Sequence, residues 1–452
     1  MQAFLPKFSA VAKNIISGRP LPILFAFYSI FIIGLMAYSS GYNTHPDEYS
    51  HFTASRFYEQ HWLPPRIGDT NPLILQSLSP YGYTYLNQFD IVYFLYGKFS
   101  SLFPLQNAKL QYLIMRALSV FLFVFLVALA TISRKRIYLL ILFLTPQVWY
   151  IFSYINGDGF GLFVSLLIAL QYGNPDSFLN RNLFSRDRKK TLLGVVLGGL
   201  LLYLLFSSKV NYYSFGIFAG ALVLIRVFHK ENFIRNILPY VYALAVGLSL
   251  IGVRYSYDIA LNGWNRTEKI NQVREKYAVE RFKPSNAADI SKSAPGMGIR
   301  EKGLPFRVIW ASSLWYKLSK MSFQGLYGYM TIRSGHTFYS VMNFFYILFL
   351  GILLYASWRA YKISRDKKLL FSVGTLFACS FLTIFISMYH AWTFDFQPQG
   401  RYLFPIIPMI AMYVAGHIEE KDTANLMQPV LLLTGIAGLV SFQFIALPRL
   451  IT

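Results

Sequence analysis

Long apolar runs alternate with short polar stretches along almost the whole chain, and that alternation predicts the architecture. The runs lie near 21–38, 110–132, 137–155, 159–173, 191–207, 210–228, 237–256, 337–357, 369–389, 402–417 and 427–447. About 20 mostly apolar residues are needed for a helix to cross the hydrocarbon layer. Backbone groups inside a bilayer must bond within their own segment, so helices are the expected form. The pattern therefore predicts an all-α polytopic membrane protein with about eleven transmembrane helices in one domain, 1–452. The stretch 84–103 is aromatic but interrupted by Asp90 and Lys98. It is expected as a helix lying at the interface, or as an extra span.

Two inter-span segments are long, 39–109 and 257–336. The second opens with a charged helix-like run, 267–282, and continues through a Pro-, Gly-, Ser- and Ala-rich loop near 284–305. Phe306, Ile309, Trp310, Leu314, Leu318 and Met321 then recur at helical spacing, opposite Arg307, Lys317 and Lys320. Such a helix, cationic on one face and aromatic on the other, belongs at a lipid surface.

Composition narrows the class. Hydrophobic types make up 55% and charged residues 14%, against roughly 25% charged in an average soluble protein. That excludes an ordinary soluble enzyme, a disordered chain and a disulfide scaffold; the one cysteine, Cys379, has no partner for a bridge. Net charge is +22, and its distribution carries orientation. With the N-terminus inside, the inner connections hold Lys7, Lys13, Arg19, Arg134, Lys135, Arg136, Arg181, Arg186, Arg188, Lys189, Lys190, Arg226, Lys230, Arg235, Arg359, Lys362, Arg365, Lys367, Lys368 and Lys421. The acids among them are Asp176, Asp187, Glu231, Asp366, Glu419, Glu420 and Asp422. The short outer connections hold only Lys209 and Arg401. This positive-inside bias predicts a cytoplasmic N-terminus and two long outer segments, with anionic membrane lipids as partners of the inner face. The basic leader before the first span reads as part of a retained anchor. Between Asp258 and Arg333, 13 basic residues meet 6 acids, which suits an outer surface for phosphorylated lipids. No feature points to nucleic acid.

The densest polar cluster is His45-Pro46-Asp47-Glu48-Tyr49-Ser50-His51, directly after the first span. On a helix starting near Pro46, Asp47 and His51 share a face, as do Glu48 and His51. Such a set can deprotonate a hydroxyl, or hold a divalent cation such as Mg or Mn through Asp47, Glu48 and His51. A solvated loop whose acids cap a juxtamembrane helix has the same sequence. No helical HExxH is present, which weighs against a zinc protease. Asp158, Lys209, His390, Asp395, Arg401 and Tyr402 fall at the same face, at positions that also suit ordinary helix ends. Acids mixed with Lys and Arg suit a negatively charged substrate approached by a general base.

The span–loop order, with an Asp-Glu pair in the first outer loop, resembles the GT-C superfamily of integral-membrane glycosyltransferases. Pro46-Asp47-Glu48-x-x-His51 with Gln399-Gly400-Arg401-Tyr402-Leu403-Phe404-Pro405 is similar to a bacterial branch of it. Ser79-Pro80-Tyr81-Gly82-Tyr83, Ile155-Asn156-Gly157-Asp158 and Ser322-Phe323-Gln324-Gly325-Leu326-Tyr327-Gly328-Tyr329 extend that similarity over most of the chain. The resemblance implies inverting transfer of a sugar from a polyprenyl-phosphate donor to a glycan or lipid-linked acceptor outside a bacterial inner membrane. It implies Asp47 as general base, Glu48 binding acceptor or metal or orienting Asp47, and His51 holding the same helix end. Arg401, Lys209 and Tyr402 would meet the donor phosphate, with Asp158, His390 and Asp395 in support. Some members carry a large soluble C-terminal domain, whereas this chain ends five residues after its last apolar run. Acceptor recognition is then expected from the two long outer segments. Outside this class, a transporter or flippase for an anionic lipid-linked polysaccharide accounts for the basic loops, as does a non-catalytic scaffold of an envelope-polymer assembly; a polymer ligase is the nearest rival enzyme. A transporter would bring charges to mid-membrane, while these spans are nearly charge-free.

Overall fold

The computed structural model describes residues 20–103, 107–132, 136–228, 232–311, 314–417 and 424–451. Lys7, Lys13, Arg19, Arg134, Lys135, Lys230, Lys421, Glu231, Glu419, Glu420 and Asp422 lie outside the described residues. In chain order the main helices are α1 (Pro20–Ser39), α2 (Glu48–Gln60), α3 (Val92–Ser101), α4 (Ala108–Ile132), α5 (Arg136–Ile141) and α6 (Pro146–Ile151). They continue with α7 (Gly157–Gly173), α8 (Arg188–Phe206), α9 (Tyr213–Phe228), α10 (Phe233–Asn262), α11 (Arg266–Tyr277) and α12 (Leu314–Gly325). The last four are α13 (His336–Ser364), α14 (Lys367–Thr393), α15 (Ile406–His417) and α16 (Ala424–Ser441). Apart from a hairpin pairing Leu326 with Arg333 and Tyr327 with Ile332, the regular elements are helices. Eight helices among the described residues are long and apolar enough to cross a membrane. The protein is therefore an all-α polytopic membrane protein.

Three expected runs do not form long helices, and local chemistry explains each. The run 137–155 breaks because the Thr145 hydroxyl accepts from the Gln147 amide and Pro146 takes the first helical position, starting α6 afresh. The run 159–173 becomes α7, 17 residues long, whose start is fixed by the Asn156 side chain accepting from the Gly159 amide. The run 402–417 opens with a 3₁₀ turn, Gly400–Leu403, and α15 begins only after Pro405, a residue that lacks the amide a continuing helix needs. Almost every residue of α7 is buried, as expected of a helix apolar on all sides, so it forms the centre of the bundle.

The segment 84–103 folds as a 3₁₀ turn, Tyr85–Asn87, followed by α3. Rather than lying free, α3 packs on α2 with Tyr93 and Tyr96 buried. Gly97 permits this approach, since a Cβ there would sit 2.8 Å from the Tyr58 Cβ. The charged run after 266 forms α11, and the amphipathic stretch forms Arg307–Ala311 and α12. Its buried face differs from the expected one: Ile309 and Trp315 pack with Ile299, Met388 and Ala391, leaving Trp310 exposed.

Candidate functional site

Asp47 precedes α2 with φ 59°, a left-handed conformation that Asp tolerates better than most residues. The two neighbouring acids end in different surroundings. Glu48 is fully buried and takes both Nε and Nη2 of Arg116 at 2.8 Å, while its Oε1 also accepts from the Ile155 amide at 3.1 Å. Arg116 in turn donates to the carbonyls of Ala37, Ser40 and Gly41, at 3.0, 2.8 and 3.1 Å. One guanidinium thus ties the end of α1, the start of α2 and the chain before α7 together. The Asp47 side chain keeps 42% of its surface and stands 3.8 Å from Arg401 Nη2.

Three distant segments supply the opposite wall. Asp158, in the first turn of the central α7, is fully buried, and its Oδ2 lies 2.8 Å from Lys209 Nζ and 3.4 Å from Arg401 Nη1. Asp158 therefore holds both cations, and Arg401 bridges it to Asp47. Arg401 Nε also donates to Gln399. Behind this row, His51 is buried with Nδ1 3.0 Å from the Tyr93 hydroxyl. Burial, with Lys209 and Arg401 adding to it, pushes its pKa well below the usual imidazole value, so it is neutral. Asp90 turns its buried Oδ2 into the same neighbourhood: a Cβ on Gly157 would touch Lys209 Cε, the Tyr93 hydroxyl and Asp90 Oδ2 at 3.0, 3.4 and 3.6 Å. Burial pushes the Asp90 carboxyl up to about 6, against the pull of Lys209 and with the repulsion of Asp158. His51 Nε2, Asp90 Oδ2 and Asp158 Oδ1 have no hydrogen-bond partner among the described residues.

Asp47 and Arg401 line one cavity of about 180 Å³, whose walls include Tyr81, Gln147, Tyr154 and Gln399. The other residues singled out from sequence are distributed around it. Asp158 and Lys209 stand behind Arg401, and His51 and Glu48 are packed deeper. Asp395 is buried and accepts from the Tyr81 hydroxyl at 2.5 Å and Gln397 Nε2 at 3.0 Å. The Tyr402 hydroxyl donates to Gln397 Oε1 at 2.6 Å. Asp395 and Tyr402 thus position a wall of the cavity through Tyr81 and Gln397. His390 is exposed at the end of α14, its ring stacked 5.4 Å from Phe394.

Sequence reasoning missed Arg116, Asp90 and the cavity residues Gln147, Tyr150 and Tyr154. A lone arginine inside the apolar run 110–132 was the available signal for Arg116, because a charge there needs a partner. Among the described residues, no group of three or more His, Cys, Asp or Glu side chains could hold a metal ion. The donor set Asp47, Glu48 and His51 does not converge, since Glu48 is engaged by Arg116. Comparison with family models, characterised proteins and solved structures finds no match, so function must be argued from the site itself.

Proposed function

We propose that this protein is a GT-C-type integral-membrane glycosyltransferase that moves a sugar from a polyprenyl-phosphate donor to a hydroxyl of a glycan or lipid-linked acceptor. The observation that carries this reading is the meeting of Asp47 and Arg401 at one cavity wall, with a second cation, Lys209, sharing Asp158. A half-exposed carboxylate beside a guanidinium, itself linked through Asp158 to a second cation, suits base and leaving-group chemistry in one place. Asp47 takes the proton of the acceptor hydroxyl. The freed oxygen attacks the anomeric carbon from the face opposite the phosphate, so configuration inverts. The bond from the anomeric carbon to the phosphate oxygen breaks, and polyprenyl phosphate leaves with the electron pair. Arg401 offsets the charge that develops on it, with Lys209 adding positive charge from behind through their shared Asp158. Glu48, through Arg116, holds the helix start that aims Asp47, which is the orienting role among those considered for it.

Counting α7, α15 and the α5–α6 pair, the chain makes eleven passes, and the cavity lies at the end of the bundle where α1 finishes. With the N-terminus cytoplasmic, that end faces the periplasm or exterior of a bacterial inner membrane. The two long segments meet beside it: Val279 donates its amide to Pro80 O at 3.0 Å, and Arg274 donates to the carbonyl of Tyr81, a cavity wall, at 3.3 Å. They are the natural site for acceptor recognition.

The decisive variant is Asp47→Asn, assayed with a labelled polyprenyl-phosphate sugar and a membrane acceptor fraction. Transfer is expected to fall by at least 10²-fold, the lower end of general-base contributions, while insertion and melting stay unchanged. Near-normal transfer by a well-folded variant would remove Asp47 from the mechanism. Arg401→Ala is expected to weaken donor binding; an unchanged apparent donor affinity would take that role from Arg401.

A further inference from the structure

At the other end of α8 from Lys209 a second recess opens, between α8 and α10. Nineteen residues separate its mouth from the site end, about 28 Å of helix. Its volume is about 730 Å³, within the range of small-ligand sites. On α8 the recess ends at Val195, and beyond it Gly198 and Gly199 bring α8 close to Ala243 and Val246 of α10. Along its length it is walled by Leu192, Val195, Val246 and Leu250, on two membrane-crossing helices. At its mouth stand Arg186 and Arg188, both exposed and neither with an ion-pair or hydrogen-bond partner among the described residues. The intervening Asp187 is engaged in capping α8, its Oδ1 accepting from the Lys189 amide at 2.9 Å.

A solute from water would gain little from the apolar walls, and a neutral lipid would leave the arginines unanswered. An amphiphile with a hydrocarbon tail and an anionic head satisfies both parts. We propose that this recess binds one anionic membrane phospholipid, its acyl chain between α8 and α10 and its phosphate on Arg186 and Arg188. The guanidinium fork matches phosphate oxygens in charge and geometry, and the exposed start of α8 adds the favourable end of its dipole. The site is independent of the sugar-transfer chemistry and lies at the opposite end of the bundle.

The test uses the full chain in detergent, titrated with phosphatidylglycerol, phosphatidylcholine or glycerol phosphate, with bound copies counted by native mass spectrometry. Phosphatidylglycerol is expected to bind at least tenfold tighter than either comparator. The double variant Arg186→Gln/Arg188→Gln and the recess-filling variant Ala245→Phe should each weaken it about tenfold, with melting temperatures unchanged. Ala245 is exposed on the wall, so filling there leaves the core packing intact. Equal retention of phosphatidylcholine would overturn the proposal. So would loss on removing the arginines with none on filling the recess, which would mean surface charge alone. Glycerol phosphate binding as tightly as the lipid would also overturn it, by showing a free-anion site.

Discussion

At the residue scale, Asp47 and Glu48 show how one backbone conformation separates two chemically similar groups. The left-handed turn at Asp47 leaves its carboxylate at the cavity while Glu48 enters a clamp with no exposed surface. A buried pair of this kind is strongly destabilising to break, because one charge is left without a partner. Arg116→Met is therefore expected to lower unfolding stability by about 3–5 kcal/mol, read as loss of melting temperature in detergent. The double variant Arg116→Met/Glu48→Met should recover much of that loss. A double variant no better than the single one would show that the carbonyl contacts of Arg116, not its charge pair, hold this end of α1.

Asp90 makes a second residue-scale prediction, with a sign fixed by linkage. Its folded pKa is raised from 3.8 to about 6, so the folded state binds the proton more tightly than the unfolded state. Stability from this group is fully present below the unfolded value and is lost as pH rises through about 6. A shift of this size corresponds to on the order of 3 kcal/mol. Asp90→Asn is thus expected to raise the melting temperature relative to wild type at pH 8 and to do so by roughly half as much at pH 5. A difference that does not change between those pH values would contradict the assignment of a raised pKa to Asp90.

At the element scale, the informative features are the places where an apolar run fails to be one helix. Hydropathy predicts three spans where the chain builds α5 with α6, the short α7, and a 3₁₀ turn with α15. These breaks place Asn156, Asp158 and Arg401 at helix starts beside the cavity, where uninterrupted helices would have carried them past it. α3 depends on a close approach instead. Gly97→Val would force a branched side chain against Tyr58, and overpacking of this kind costs about 1–3 kcal/mol. The measured effect is expected to be a lowered melting temperature, together with weaker transfer because α3 carries Tyr93 beside His51. An unchanged melting temperature would mean that α3 can move away from α2 freely.

At the scale of the whole molecule, orientation is the open quantity, and one cysteine makes it accessible. Cys379 is buried, so Cys379→Ser gives a quiet background. In intact cells a membrane-impermeant maleimide is expected to label Asp69→Cys, in the first long segment, and to miss Ser364→Cys, at the last residue of α13. Both positions are exposed in the folded chain. The reverse pattern would invert the topology and move the proposed chemistry to the cytoplasmic face. The recess at Arg186 and Arg188 would then face outward.

What could be read from the chain alone follows from solvent. Eight long apolar runs without a polar face cannot dissolve, and a backbone inside lipid has to be helical, so class and architecture are local properties summed along the sequence. The polar cluster at His45–His51 was legible for the same reason, since charge beside such a run demands an explanation. Partnership was not legible. Glu48 with Arg116, Asp158 with Lys209, and Arg401 with Asp47 join residues far apart in the chain, and hydropathy carries no information about which helix packs on which. Only the tertiary structure decided that Asp47 meets the cavity while Glu48 is clamped behind it. A left-handed turn and one arginine in a span make that distinction, and both act through packing rather than through sequence pattern.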